Sequence, residues 1–374
     1  MTDLPTLLNA ISTSQRTEQY SVLAALFALK AHIKPVAAKE VKKALQLHLR
    51  SKTPNNIHDC LSKARQYVHK AQDGPPIKWT LTQVGLDRLK LLSKLSLEST
   101  ESKRDFKVDV GIICALEYPE LSAVISAFGT QSAWSELRST HLTHVYRESS
   151  FQTDAGTKLR IVATTSTSMG LTASAIVATQ LVMEYRPRLV AMIGIAAGTR
   201  SGNKQFGDVL VADPSVDYAS GKVVVENGIR GFQPDPYPIG LNARLRSVIQ
   251  RYRNDSDLFV KIRKKWSGST PKEPNRLHLG PVGAADQVID DPSRVLEIQK
   301  NWRKLIGVEM ETYGVYRAIH EAPEPKARAV SFKSVCDFAA EKSDNWQEYA
   351  AFVAAEFAAE FLRRDWESLW PGEV

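Results

Sequence analysis

With 374 residues, 43% of them hydrophobic and 24% charged, the chain has ample material for a packed core, which excludes disorder over most of its length. Its three cysteines, Cys60, Cys114 and Cys336, lie far apart with no CxxC and no nearby histidine pair, which argues against a structural zinc and against a secreted disulfide framework. The net charge of +8 is confined to the first third: residues 1–105 carry 17 lysines and arginines against nine acids, whereas residues 106–374 carry 32 of each. That asymmetry points to a separate basic domain whose partner is nucleic acid or protein, or to a basic surface that only confers solubility. The start, MTDLPTLLNAISTS, lacks the basic opening and apolar core of a signal peptide. Residues 161–183 are uncharged but rich in Thr, Ser and Gly, so a membrane span is not expected there. The expectation is a cytoplasmic protein without membrane contact.

Taken in chain order, the first segment reads as helices over 18–31, 37–49 and 57–71, the third preceded by the cap Thr53-Pro54-Asn55-Asn56. Gly74-Pro75-Pro76 marks a turn, Ile77 to Leu81 a short strand, and Thr82 opens another helix. Helices, then a strand, then "WTLTQVGLDRL" resemble a winged helix over roughly 14–95. In that reading the helix from Ile57, with Lys63, Arg65 and Lys70, is the candidate groove reader, the alternative being a surface that docks protein or a sister subunit. Residues 96–107 are polar and serine-rich, a linker.

From Val108 the texture changes. "VDVGIICAL", "LRIVATTSTSMG", "RLVAMIGIAAG", "FGDVLVAD", "LGPVGAADQVID" and "ARAVSFKSVCDFA" are buried-strand runs alternating with helical stretches. This predicts an α/β domain over 108–374 with a mixed, largely parallel central sheet flanked by helices, appended to a small, mainly α N-terminal domain. Residues 215–275 read as an insertion or lid with a basic helical stretch from Arg244 to Lys265. "WQEYAAFVAAEFAAEFLRR" is the closing amphipathic helix.

Ligands of open α/β sheets sit at the carboxyl ends of strands. Small or polar groups fall at such ends here: Ser168 to Gly170, Gly194 to Gly198, Asp286, Glu309 to Glu311, and Asp337. There is no GxxxxGK[ST], no GxGxxG after a strand, and no HExxH, so triphosphatase, dinucleotide and metallohydrolase readings are weak and neither cofactor nor metal is expected.

The ordered series "VGIICALEYPEL", "STSMGLTASAIVATQL", "RPRLVAMIGIAAGTRSGNKQFGDVLVA", "GPVGAADQVI", "IGVEMETYGVY" and "FKSVCDFA" resembles the nucleoside phosphorylase/nucleosidase superfamily over about 108–362. It is most similar to methylthioadenosine/S-adenosylhomocysteine nucleosidases. The resemblance implies a purine, foremost adenine, nucleoside or nucleotide as substrate, a homo-oligomer, and hydrolysis of the base–ribose bond. Asp337 matches the aspartic acid that protonates the leaving base, with helix capping as the plainer reading. Glu311 matches the glutamate that binds ribose hydroxyls, with Met310 under the sugar, and Glu309 is assigned a structural or helix-capping part. For the base that activates water, "ALEYPEL" offers Glu120, with Glu117 as the alternative, because the spacing departs by one residue from the family pattern. Ser168 and Gly170 would line the sugar side, Gly194 and Phe338 border the site, and Val288 would cover the base or serve only as core. Arg200 or Lys204 could reach phosphates of a nucleotide. Met192 stands where phosphorylases of this superfamily carry an arginine, which favours water over phosphate as nucleophile. A phosphate-dependent phosphorylase, and a nucleic-acid-binding or ligand-sensing regulator on an inactive fold, remain the alternatives.

Overall fold

A computed structural model describes Leu4, Leu8 and residues 18–31, 34–49, 52–71, 76–89, 106–137, 143–200, 202–338 and 346–370. Residues 96–105 of the linker expected over 96–107, and Gly74-Pro75 of the expected turn, lie outside the described residues. The chain divides into two compact units, Met1–Asp105 and Phe106–Val374.

In the first unit, α1 (Glu18–Ala28), β1 (Val36–Ala37), α2 (Ala38–Leu49), α3 (Ile57–Lys63), β2 (Val68–Lys70) and β3 (Lys78–Leu81) follow in order. The strands form a sheet of order β1-β3-β2, antiparallel throughout. Val22, Leu26, Val41, Leu45, Ile57, Leu61 and Trp79 share its core. Asn56 caps α3 by accepting from the Asp59 amide at 3.1 Å. Thr82 opens a helix over 83–89, its hydroxyl accepting from the Gly85 amide.

The helix expected over 57–71 stops at Lys63. Val68 pairs with Leu81, which buries both apolar side chains and turns His69 and Lys70 outward. Pairing with β3 thus prevails over the helical pattern of the sequence. Of the three basic residues expected on one helix, Lys63 alone is on it, and its ammonium is paired with Asp59 at 2.7 Å. Lys70 is on a strand.

The second unit is built on a nine-stranded sheet. Its strands are β4 (Val108–Cys114), β5 (Ser135–Leu137), β6 (Tyr146–Gln152), β7 (Lys158–Thr165), β8 (Pro187–Gly198), β9 (Val209–Asp217), β12 (Leu277–Ala284), β13 (Gly307–Glu309) and β14 (Arg328–Asp337). A hairpin of β10 (Gly221–Glu226) and β11 (Ile229–Pro234) stands apart from it. The order is β13-β12-β9-β14-β8-β4-β7-β6-β5, and β13 also pairs with β8. The centre, β14-β8-β4-β7, is parallel, as are β9-β12 and β12-β13, whereas β9-β14, β13-β8 and the β5-β6-β7 edge are antiparallel. The central strands are apolar on both faces because helices cover both.

Those helices are α4 (Ser122–Ala127), α5 (Leu171–Tyr185), α6 (Ala243–Gln250), α7 (Ser256–Lys264), α8 (Pro292–Asn301), α9 (Thr312–His320) and α10 (Gln347–Leu369). α10 is the principal cover. Its Phe357 and Phe361 meet Phe332 of β14 with ring centroids 5.3 Å away in each case. Truncating one such buried ring costs about 3–5 kcal/mol.

Within the stretch expected as an insertion or lid, 215–275, the basic segment 244–265 forms two helices packed on the core. α6 and α7 bury Leu245, Ile249, Leu258, Phe259 and Ile262 in the same core as α10, with Phe259 stacked on Phe357. The basic side chains occupy the outward faces of helices whose apolar faces are fully used.

Candidate active site

Residues at or just past the carboxyl ends of β4, β8, β12, β13 and β14 converge on one place, with Asp337 in register with Ala197 and Ala284 with Glu309. There lies a cavity of about 290 Å³ lined by Glu120, Glu309, Met310, Glu311, Val288 and Asp337 together with apolar groups.

The β4 end carries the first carboxylate. After Ala115 and Leu116 the chain makes one wide turn of π geometry, Glu117–Leu121, with Tyr118 extended inside it. The extra residue decides which glutamate faces inward. Glu120 is buried, its Oε2 accepting from the amides of Ala115 (2.7 Å) and Leu116 (2.9 Å) and its Oε1 from that of Ile195 (2.8 Å). Gly194 makes room for it, since a Cβ there would lie 2.1 Å from Oε1. Burial pushes the Glu120 carboxyl above its ordinary value, against the lowering pull of Lys333 and the Ile195 amide. Glu117, the alternative, is exposed, paired with Arg147 at 2.7 Å and outside the cavity lining.

The second group comes from the β13–α9 junction. Glu309 accepts from the amides of Glu311 (3.0 Å) and Thr312 (2.9 Å), so it caps the start of α9. Glu311 takes the Gly170 amide on Oε1 (3.2 Å) and the Lys333 ammonium on Oε2 (3.1 Å). Gly170 has φ +117°, and a Cβ there would collide with Asp286, which accepts from the Leu171 amide.

Lys333 is the residue that the sequence reading missed. It lies in mid-β14, 1% exposed, between Glu311 and Glu309, whose Oε2 is 3.3 Å from its Nζ. Burial alone would lower its pKa, but the carboxylates of Glu311, Glu309 and Glu120 outweigh that, so it lies above the ordinary lysine value. The signal was present: a lone lysine inside the apolar strand "AVSFKSV" needs buried partners. Three glutamates around one ammonium leave the cluster an excess of negative charge when all are ionised.

Asp337 ends β14. The neighbouring Cys336 thiol donates to its Oδ2 at 3.4 Å, and both residues line the cavity. Several expected neighbours are placed elsewhere. Ser168 lines an adjoining cavity of about 370 Å³ that shares Met169 with the first. Phe338 is outside the lining and packs edge-on against Phe206, with the Arg200 guanidinium 5.1 Å above its ring. Lys204 donates to the Thr199 hydroxyl at 3.1 Å. Phe338 also packs against the cluster of Ala196, Leu210 and Val335. Among the described residues no group of three or more His, Cys, Asp or Glu is placed to hold a metal ion.

A mixed sheet with a carboxylate-lined cavity near the carboxyl ends of its strands defines a nucleoside phosphorylase-like α/β protein. Residues 109–364 match the family model described as the phosphorylase superfamily, and the chain belongs to that family. An uncharacterized protein, y4jS of Sinorhizobium fredii, is 28% identical over 322 residues, 82% of this chain and 77% of that one. The ATP nucleosidase Cap17 of Escherichia coli is 25% identical over 75% of this chain and 57% of its own length. Among solved structures, the 5'-methylthioadenosine/S-adenosyl homocysteine nucleosidase of Helicobacter pylori aligns with a TM-score of 0.52 at 18% identity. That alignment covers 69% of this chain and 99% of that one. It shows the fold.

Proposed function

We propose that the protein is an N-ribosyl hydrolase that cleaves the bond between an adenine-type purine and ribose in a nucleoside or nucleotide. The observation that carries this is one cavity receiving Glu120, Met310, Glu311 and Asp337 from three distant parts of the chain. Departure of the purine leaves an oxocarbenium-like sugar and a ring nitrogen that needs a proton. Asp337 donates that proton. Glu311 holds the ribose hydroxyls over Met310, and the anionic surplus around Lys333 stabilises the sugar cation. Glu120 takes a proton from the attacking water, a task suited to a carboxylate whose burial raises its pKa.

Water rather than phosphate is supported by a cavity lining that holds no lysine or arginine among the described residues, and by Met192 at the position where the sequence resemblance places an arginine in phosphorylases. Similarity to the ATP nucleosidase Cap17 favours ATP or a kindred nucleotide. The test is chromatography of a panel of nucleosides and nucleotides incubated with the protein, with and without inorganic phosphate, alongside Asp337→Asn. Base release that needs no phosphate and is lost in the variant is expected. Release that requires phosphate would make it a phosphorylase, and a protein that binds but releases no base would be a sensor.

A self-associating enzyme fits the exposed face of α5, where Ile176 and Met183 continue from Met169 beside the cavity. A one-chain mass by light scattering would rule this out. The winged-helix reading of the first unit, with exposed Lys39, Lys42 and Lys43 on α2, gives it a nucleic-acid or protein partner and the whole chain the part of a regulated effector, in antiviral defence for example. Nucleic-acid binding there should weaken steeply with salt, and binding indifferent to salt would exclude phosphate contacts.

A further inference from the structure

The turn after β12, from Asp286 to Ile289, separates two cavities, and Gln287 lines both. The second, about 600 Å³, lies between the root of the β10–β11 hairpin and α8. Its chemistry is the reverse of the first. Arg230, Arg294 and Lys300 line it, against Glu297 as the one acidic lining residue among those described. Arg294 is held by Glu297 at 3.0 Å, and its guanidinium stands 5.9 Å from the centre of the Tyr218 ring. Tyr218 also lines the cavity. It is 4% exposed, and its buried hydroxyl has no hydrogen-bond partner among the described residues. Buried hydroxyls are satisfied in the great majority of cases, so an orphan on a residue of a wall that three cations also line, with Arg294 the cation that acts on it, indicates an acceptor that arrives from outside. Burial pushes the Tyr218 pKa to about 12, so at neutral pH the group is an O–H donor.

We propose that this second cavity binds phosphate groups, with Arg294, Arg230 and Lys300 neutralising the charge and the Tyr218 hydroxyl donating to a phosphate oxygen. Guanidinium forks and a buried donor match phosphate oxygens in number and sign, and the cavity has room for more than one phosphate. The phosphates come either from the nucleotide whose base is cleaved next door, across Gln287, or from a separate phosphorylated effector. The first source rests on the nucleosidase reading given above. Phosphate binding itself does not.

The test uses the full chain carrying Asp337→Asn, titrated calorimetrically with inorganic tripolyphosphate at constant ionic strength. Saturable binding of one tripolyphosphate per chain is expected. Arg294→Gln and Arg230→Gln should each weaken it about tenfold, and Tyr218→Phe by a smaller factor, since charge-assisted bonds are the stronger. Arg230 is exposed on the hairpin, so its replacement leaves the core untouched. Absence of saturable binding, or binding unchanged in both arginine variants, overturns the proposal. With the wild-type protein, tripolyphosphate that competes with nucleotide cleavage but leaves nucleoside cleavage alone identifies the substrate's own phosphates. A changed nucleoside rate identifies a separate effector. If the wild type cleaves nothing yet tripolyphosphate still binds, the nucleosidase reading falls and the phosphate site stands.

Discussion

Two cavities share one turn of chain and are opposite in nearly every physical respect. The one at the strand ends is small and walled by buried carboxylates, and it draws its cation, Lys333, from beneath its surface. The one beside α8 is larger, lined by arginines and a lysine on surface elements, and its buried polar group is an unpaired hydroxyl. The difference teaches where charge can be stored. Carboxylates can be concentrated in the interior because backbone amides of Ala115, Leu116, Ile195, Gly170 and Thr312 are aimed at them. Flexible cations are kept near the surface, where water supports them until a ligand arrives.

The largest effect expected on that contrast is in the chemistry. Asp337→Asn and Glu120→Gln should each lower the rate of base release by about 10²- to 10⁴-fold with substrate binding largely kept, as loss of a general acid or base does. A variant at Glu117, outside the cavity, should change the rate little. Equal losses at Glu117 and Glu120 would break the assignment of the inward-facing base.

Next in size is the buried ion cluster. Lys333→Met leaves Glu309 and Glu311 without their cation and should cost about 3–5 kcal/mol of stability, read as a lowered Tm or denaturation midpoint. Lys333→Arg should recover part of that loss. An unchanged Tm in Lys333→Met would mean that amides alone satisfy the glutamates.

The smallest effect is in pH dependence. Burial raises the Glu120 carboxyl above its ordinary value of 4.5. Acting as a base it must be ionised, so kcat/KM should fall as pH drops through a value above 4.5, an acidic limb displaced upward from that of an ordinary glutamate. For stability the sign is opposite. A raised carboxyl pKa means the fold favours the protonated form, so its contribution is fullest below the unfolded value and declines as pH rises through the folded one. Glu120→Gln should flatten that decline in a series of unfolding midpoints, and an unaltered series would place the raised carboxyl elsewhere.

Much of this was legible in the chain. Runs such as "VGIIC" and "AMIGIA" are too short and too apolar for anything but strands buried on both faces, and their alternation with helices specifies a parallel sheet. The order of small and acidic residues at the strand ends pointed to the place where the carboxylate-lined cavity lies. Other features were not legible, for stated reasons. A helical period over 57–71 ignored Val68's partner, Leu81, thirteen residues on. The packing of the basic stretch 244–265 was not legible because the face its apolar residues cover, on α10, is about a hundred residues away.

By itself, then, the sequence determined the layered α/β architecture, the family to which the chain belongs and the strand ends that border the carboxylate-lined cavity, because periodicity and local residue type suffice for these. Only the tertiary structure decided that Glu120 rather than Glu117 faces inward, that Lys333 joins Glu309 and Glu311, and that a cationic cavity adjoins an anionic one. Each depends on backbone direction and on neighbours brought from far along the chain. Electrostatic energy is set by distance and burial in space, which spacing along the chain does not record.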